Sequence, residues 1–289
     1  MLMQQIVSGL ALGSVYVLIA LGFIIIYKAT DVLNFAQGDM MMLSAFINYS
    51  LLVSGSISVA LAILITLISG AMLGFIIERI IVRPMLGRPL FATVLVTLGV
   101  GICLRAVAGA LWGHQPMAVP EILSIRPIKL FLGLLISPFH MTILIVSLAL
   151  VLLLTLFFHR TRMGTSMRAV SMHQLASFIM GIRVRRIFSI TWIISGFIGA
   201  LGGMLIAPLT FVDPHLGWIG LKAFPAAVLG GFGSIPGAIL GGLVMGVSEN
   251  IAGGYMPEGI KNVFPWIVLI LVLMIRPEGF FGSYEEKKV

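Results

Sequence analysis

Five stretches without a single Asp, Glu, Lys or Arg, residues 1–27, 40–77, 130–158, 187–212 and 223–248, constrain this chain more than any motif does. About 20 apolar residues, rising roughly 1.5 Å each, cross a hydrocarbon core near 30 Å thick. Backbone amides in lipid find no water, so they must be satisfied within a helix or a closed barrel. The period-two alternation of a membrane barrel is missing. The sequence therefore predicts an all-α, polytopic transmembrane bundle. Only 10% of residues are charged, and the mean hydropathy of +1.15 leaves no room for a soluble catalytic domain.

Spans are expected at about 5–27, 38–54, 58–77, 91–112, 138–158 and 187–210, followed by a less regular region over 217–276. The N-terminal segment lacks a positive n-region, and its apolar run is too long for a cleaved signal peptide, so it reads as the first span. If 217–233 crosses, there are nine spans and the tail SYEEKKV is cytoplasmic; if it turns back, there are eight and the tail is outside. Residues 1–289 read as a single transmembrane domain.

Orientation follows from the cations. Arg79, Arg83 and Arg88 follow the third span, and Arg160, Arg162, Arg168, Arg183, Arg185 and Arg186 crowd the segment 159–186, which has no acid. Lys and Arg bias loops to the cytoplasmic side, which places both loops there and the N-terminus outside. The net charge of +8 is thus a topology signal, and nucleic acid is not an expected partner.

Several chemistries are excluded. The five histidines are scattered, the lone Cys103 excludes an internal disulfide and a cysteine metal cluster, and no nucleophile sits beside a base. Without a Gly-Lys dipeptide there is no Walker A loop, so any ATP is bound by another subunit.

Polar residues within apolar runs are the remaining signal, because a charge at the bilayer centre costs about 2.5–3.5 kcal/mol on insertion scales and needs a partner or water. Arg105 reads as the structural partner of a carboxylate or carbonyl. Asp39 suits either a helix N-terminus, where the macrodipole favours an acid, or a solute path. Candidate liners of such a path are Asn34, Gln37, Asp39, Asn48, Ser248, Glu249 and Asn250. Glycine clusters, chiefly Gly9 with Gly13, Gly70 with Gly74 and the run from Gly230 to Gly246, permit close helix packing. The interrupted stretch from Gly230 to Gly237, with Pro236, suits a substrate path equally well. A stand-alone, ion-coupled transporter or channel using Asp39 or Glu249 is the alternative reading at this point.

In the basic loop, Met172, Leu175, Ala176 and Ile179 recur at helical spacing and predict an amphipathic helix ended by Gly181. Such a helix can lie on the membrane surface or in a partner's groove; periodicity alone favours the membrane.

The segment from Gly164, Arg168 and Ala169 through Ala176 to Gly181 and Ile182 resembles the cytoplasmic coupling loop of ABC importer permeases. Their pattern is Glu-Ala-Ala, three residues, then Gly; here Leu175 replaces the acid and Ser177 the second alanine. Residues 4–46, with the core Asn34-Phe35-Ala36-Gln37-Gly38-Asp39, are similar to branched-chain amino acid permeases of the LivH type. The stretches Arg79–Pro84 and Ala226–Gly242 extend that resemblance over nearly the whole chain.

The resemblance implies a bacterial inner-membrane subunit that pairs with a LivM-type permease and receives an amino acid from an extracytoplasmic binding protein. It also implies two ATPase subunits that hold ATP and Mg, with no cofactor in this chain. Coupling would fall to Arg162, Gly164, Arg168, Ala169, Met172, Leu175, Ala176, Ile179, Gly181 and Ile182.

Overall fold

The structure, a computed structural model, describes residues 2–55, 57–120, 128–129, 135–276 and 279–281; the tail SYEEKKV lies outside them. The order is α1 (Leu2–Thr30), α2 (Gln37–Val53), α3 (Val59–Ile76), α4 (Leu90–Trp112), α5 (Pro138–Arg160), α6 (Arg162–Met172), α7 (Gln174–Ile179), α8 (Val184–Ile206), α9 (Gly217–Gly230), α10 (Ile235–Tyr255) and α11 (Glu258–Ile275). The only regular strands among the described residues are β1 (Ile128–Lys129) and β2 (Leu135–Ile136), an antiparallel pair. The all-α expectation therefore holds apart from this two-residue ribbon.

Local chemistry sets the boundaries. Ser58 caps α3 by accepting from the Leu61 amide at 3.4 Å, Thr161 caps α6 through Gly164 N at 3.0 Å, and Ser234 caps α10 through Gly237 N at 3.1 Å. Each satisfies one of the orphan donors of a helix N-terminus. After α3 the chain widens into a π-helical turn over Ile77–Val82.

Among the described residues, six helical stretches are long and apolar enough to cross a bilayer: Leu2–Thr30, Val59–Met85, Leu90–Trp112, Pro138–Arg160, Val184–Leu209 and Ile235–Tyr255. At 17 residues α2 lies at the lower limit of a crossing helix, and at 14 residues α9 falls below it.

The chain divides into two compact units. One comprises Met1–Ile24, Leu123–Ser147 and Lys222–Val289. In it the first half of α1 meets α10 through glycines: a Cβ on Gly9 would fall 2.7 Å from Val247 Cα, and one on Gly246 would strike Gly13. After α11, Phe280 and Phe281 donate their amides to the carbonyls of Leu229 and Gly230 at 2.9 and 3.1 Å, closing the open end of α9.

The other unit comprises Ile25–Ile122 and Leu148–Leu221. Its centre is α2, α3, α4 and α8 around Ile26, Met40, Val100 and the fully buried Trp192. Here α3 and α8 touch backbone to backbone: a Cβ on Gly196 would collide with the Gly70 carbonyl, and one on Gly74 with the Trp192 carbonyl. Packing of small residues is what holds membrane helices together, because lipid supplies no hydrophobic drive between them.

Gly196→Ala should therefore destabilise the protein by about 1–3 kcal/mol, the usual penalty of overpacking, visible as a lower midpoint in thermal unfolding. Gly99→Ala should be neutral or slightly stabilising, since a Cβ there meets nothing within 4 Å. Equal midpoints for the two variants would contradict the α3–α8 contact.

Candidate functional site

The motif Asn34-Phe35-Ala36-Gln37-Gly38-Asp39 sits where the helical path breaks between α1 and α2. Non-helical backbone within a membrane protein needs partners for its amides and carbonyls, and side chains provide them. Thr97, a third of the way along α4, donates to Leu33 O at 3.1 Å and accepts from Phe35 N at 3.3 Å. Asn34 Oδ1 accepts from Ala36 N at 3.2 Å, and its Nδ2 donates to Gln37 Oε1 at 3.1 Å. Gln37 then bridges to mid-α8, donating to Ser195 O at 3.1 Å and accepting from Ser195 Oγ at 2.9 Å.

Asp39, only 1% exposed, receives Arg105 in a two-point pair, Nε to Oδ1 at 2.6 Å and Nη2 to Oδ2 at 3.2 Å. The carboxylate expected for Arg105 is thus Asp39. The guanidinium also lies over the Trp218 ring, 5.0 Å from its centroid, an added attraction for a desolvated cation. Glycines make the space, for a Cβ on Gly101 or Gly217 would strike the Asp39 carboxylate, and one on Gly38 would strike Gly217 O. Asn48, the remaining candidate in this unit, accepts from Thr66 Oγ1 at 3.4 Å.

The candidates Ser248, Glu249 and Asn250 belong to the other unit, all on α10. Glu249, 1% exposed, accepts from Tyr16 Oη at 2.5 Å and from Lys222 Nζ at 3.0 Å. Lys222 donates further to Asn262 Oδ1 at 2.9 Å. Ser248 returns to its own helix at Met245 O, and Asn250 donates to Gln5 O at 2.6 Å. Sequence reasoning missed Tyr16, Lys222 and Asn262. The signal for Lys222 was present: it is the only formal charge in 217–233.

A third network, also missed, closes the C-terminal end of α3. Buried Glu78 in the π-helical turn accepts from Arg83 Nε at 2.9 Å and Nη2 at 3.0 Å, and Ser189 Oγ both accepts from Arg83 at 2.7 Å and donates to Glu78 at 2.9 Å.

The basic loop is two helices, not one. The helical spacing of Met172, Leu175, Ala176 and Ile179 predicted a single amphipathic helix, but His173 adopts extended backbone, φ −157°, ending α6 at Met172 and starting α7. Its Nδ1 accepts from Ala176 N at 3.3 Å, a cap that periodicity does not register. Gly164 lets α6 fold back onto the end of α5, where a Cβ would strike Phe157 O. Arg162 and Arg168 lie exposed on α6, with Ala169 half-buried beside them.

Gly181 ends α7 as expected, with φ +84°. Its amide donates to Phe178 O at 3.0 Å and that of Ile182 to Ser177 O at 2.9 Å, the paired bonds of a Schellman cap. The result is an apolar surface outside the spans: Met172, Leu175, Phe178, Ile179 and Met180 are 86%, 64%, 67%, 74% and 82% exposed. Among the described residues no three His, Cys, Asp or Glu side chains gather to hold a metal.

Paired charges inside apolar helices, glycine-packed spans and an exposed helical loop describe a polytopic helical membrane protein. A sequence profile described as "Branched-chain amino acid transport system / permease component" matches residues 5–273, and the chain belongs to that family. It is 30% identical over 300 residues to the high-affinity branched-chain amino acid transport system permease protein LivH of Escherichia coli strain K12, covering 99% of this chain and 97% of the relative. To the corresponding permease BraD of Pseudomonas aeruginosa it is 33% identical, covering 99% and 98%. The fructose import permease FruF of Bifidobacterium longum is 24% identical, over 91% of this chain and 75% of the relative.

Leaving one member of a buried pair uncompensated costs about 3–5 kcal/mol. Arg105→Gln alone should thus lower the unfolding midpoint sharply, whereas Arg105→Gln with Asp39→Asn should recover at least half of the loss. Additive effects in this double-mutant cycle would refute the pairing.

Proposed function

We propose that this chain is the permease subunit of an ABC importer, carrying branched-chain or related amino acids into the cytoplasm on ATP hydrolysed by separate subunits that bind ATP and Mg. In this reading it works in the bacterial cytoplasmic membrane as one transmembrane domain. It pairs with a LivM-type permease and takes cargo from an extracytoplasmic binding protein.

The observation that carries the reading is the α6–α7 surface. Five large apolar side chains held in water on a basic loop are an interaction site awaiting a partner, and covering each would contribute up to about 1.5–3 kcal/mol. In this reading that partner is an ATPase subunit. On this account nucleotide closure of the ATPase pair moves α6 and α7, and Gly164 and the Thr161 cap pass the movement to α5. Arg162, Arg168, Ala169, Met172, Leu175, Ala176, Ile179, Gly181 and Ile182 form or support the contact. The ATPase drives transport only if it binds the outward-facing and inward-facing states unequally.

One further point supports the importer over a stand-alone ion-coupled carrier. Asp39 is held by Arg105, and Glu249 by Lys222 and Tyr16, so neither acid offers a vacant carboxylate to a travelling cation. The translocation residues of this reading are Asn34, Gln37, Asp39 and Asn48 in one unit and Ser248, Glu249 and Asn250 in the other, each set fixed by its own network rather than serving as a high-affinity site, with affinity residing in the binding protein. The fructose relative indicates that the family accommodates varied cargo, so the amino-acid assignment rests on the LivH and BraD relatives.

Eight or nine spans complete the topology. The 14 residues of α9 reach about 21 Å, less than the core thickness, which favours the eight-span path with the C-terminus outside.

The test is ATP-dependent uptake in proteoliposomes containing the assembled transporter. Leu175→Asp with Ile179→Asp should reduce ATPase co-purification and uptake at least tenfold while the permease still inserts. Gly181→Val, strained at positive φ, should reduce uptake more than Gly181→Asn, which tolerates that backbone at a cost nearer 1 kcal/mol or less. Full ATP-driven transport by the Asp variant would defeat the coupling assignment.

A further inference from the structure

An open groove of about 1210 Å³ lies where the end of α3, the start of α8 and α7 converge. Five arginines line it: Arg79, Arg83, Arg183, Arg185 and Arg186. Arg83 is spent on Glu78, but the other four form no ion pair among the described residues. The acids nearby are already engaged: Glu78 with Arg83 and Ser189, and Asp31 with Gln174, which lines the groove and donates to it at 3.2 Å. The groove is thus strongly cationic.

Its floor is apolar, with Phe75, Ile190 and Ile193 from the spans themselves. Phe75 also closes a stripe along α3, where Leu61, Leu64, Ile68, Met72 and Phe75 are 40–57% exposed. Those residues recur at intervals of three and four, the spacing of one helix face, and Arg79 continues it one turn on. An apolar track running lengthwise down a span and ending in unpaired guanidinium groups has the chemistry of a phospholipid: acyl chain on the track, anionic headgroup among the arginines. Planar guanidinium forks suit phosphate oxygens, and basic pockets between helices at the cytoplasmic face select acidic headgroups.

We infer that this groove is a binding site for an anionic phospholipid, which wedges between α3, α8 and α7 and braces the loop against the membrane. The inference goes beyond the importer assignment: Leu175 and Phe178 of the docking surface also line the groove, but Met172, Ile179 and Met180 do not, and the arginines on which the inference rests are not among the coupling residues. An acidic protein segment would complement the arginines too, but it would leave the α3 track without an occupant.

The test uses full-length protein reconstituted in bilayers of phosphatidylethanolamine with a minority of phosphatidylglycerol, then extracted in mild detergent, with retained lipid quantified by native mass spectrometry. Wild type should retain phosphatidylglycerol in excess of its bilayer share. Arg79→Gln with Arg183→Gln and Arg186→Gln should lower that retention about tenfold or more, and the three Arg→Lys changes should retain an intermediate amount. Arg83 is left intact because it holds Glu78.

Absence of phosphatidylglycerol enrichment in wild type would overturn the site without reference to any variant. Displacement of the lipid by excess inorganic phosphate would reduce it to a bare anion site. Undiminished lipid retention by the Gln variant, together with loss of ATPase co-purification, would reassign the arginines to a protein surface. ATPase co-purification by the Gln variant at wild-type level, with lipid lost, is the expected result and separates this site from the coupling contact.

Discussion

A bilayer offers no water to an unpaired polar group, and the described structure meets that constraint by settling each intramembrane charge within the chain. Asp39 has Arg105, Glu249 has Lys222 and Tyr16, and Glu78 has Arg83 and Ser189. Such pairs contribute little net stability, because the cost of desolvation offsets most of the attraction, yet losing either partner is severe. Their effect is positional. The Asp39–Arg105 pair pins the start of α2 against α4, and Gln37 pins it against α8, so a break in the helical path becomes a fixed feature.

Glycine is the complement of these pairs. A carboxylate approaches α4 and α9 only because Gly101 and Gly217 lack side chains, and α3 meets α8 only because Gly70, Gly74 and Gly196 do. In lipid, where packing contacts take the place of hydrophobic drive, the same close approaches that hold the helices also admit the charges. Outside the spans the balance reverses. Among the described residues the arginines around α7 are largely without ion pairs and the apolar residues beside them are exposed. An ATPase on α6 and α7, and an acidic lipid among Arg79, Arg183 and Arg186, would share this end of the molecule, meeting at Leu175 and Phe178.

Much of this was legible in the sequence, for physical reasons that also explain the gaps. Charge-free runs announce spans because insertion is decided locally, residue by residue. Arg105 announced that it needed a partner because a lone cation cannot remain in lipid, and Gly181 announced a helix end because its backbone conformation is largely reserved to glycine. What stayed hidden depends on contacts distant in the chain. Tyr16 and Glu249 are 233 residues apart, and nothing in the apolar surroundings of Tyr16 marks its hydroxyl as a donor to an acid. The division of the basic loop at His173 was hidden for a different reason: helical spacing persists across the break, so a pattern of side chains reads through a kink that only the backbone reveals. Within Asn34–Asp39 the residue types were conspicuous, but their hydrogen-bond partners Thr97 and Ser195 lie on other helices, which a local pattern does not register.

The account depends most on the side of the membrane at which the unpaired arginines emerge. With Cys103→Ala as background, Thr165→Cys places one thiol on exposed α6. A membrane-impermeant maleimide should leave intact cells unlabelled at this position and label it fully once the cytoplasmic membrane is opened. Labelling in intact cells would place the loop on the outer face and contradict the assignment of α6 and α7 to a cytoplasmic partner.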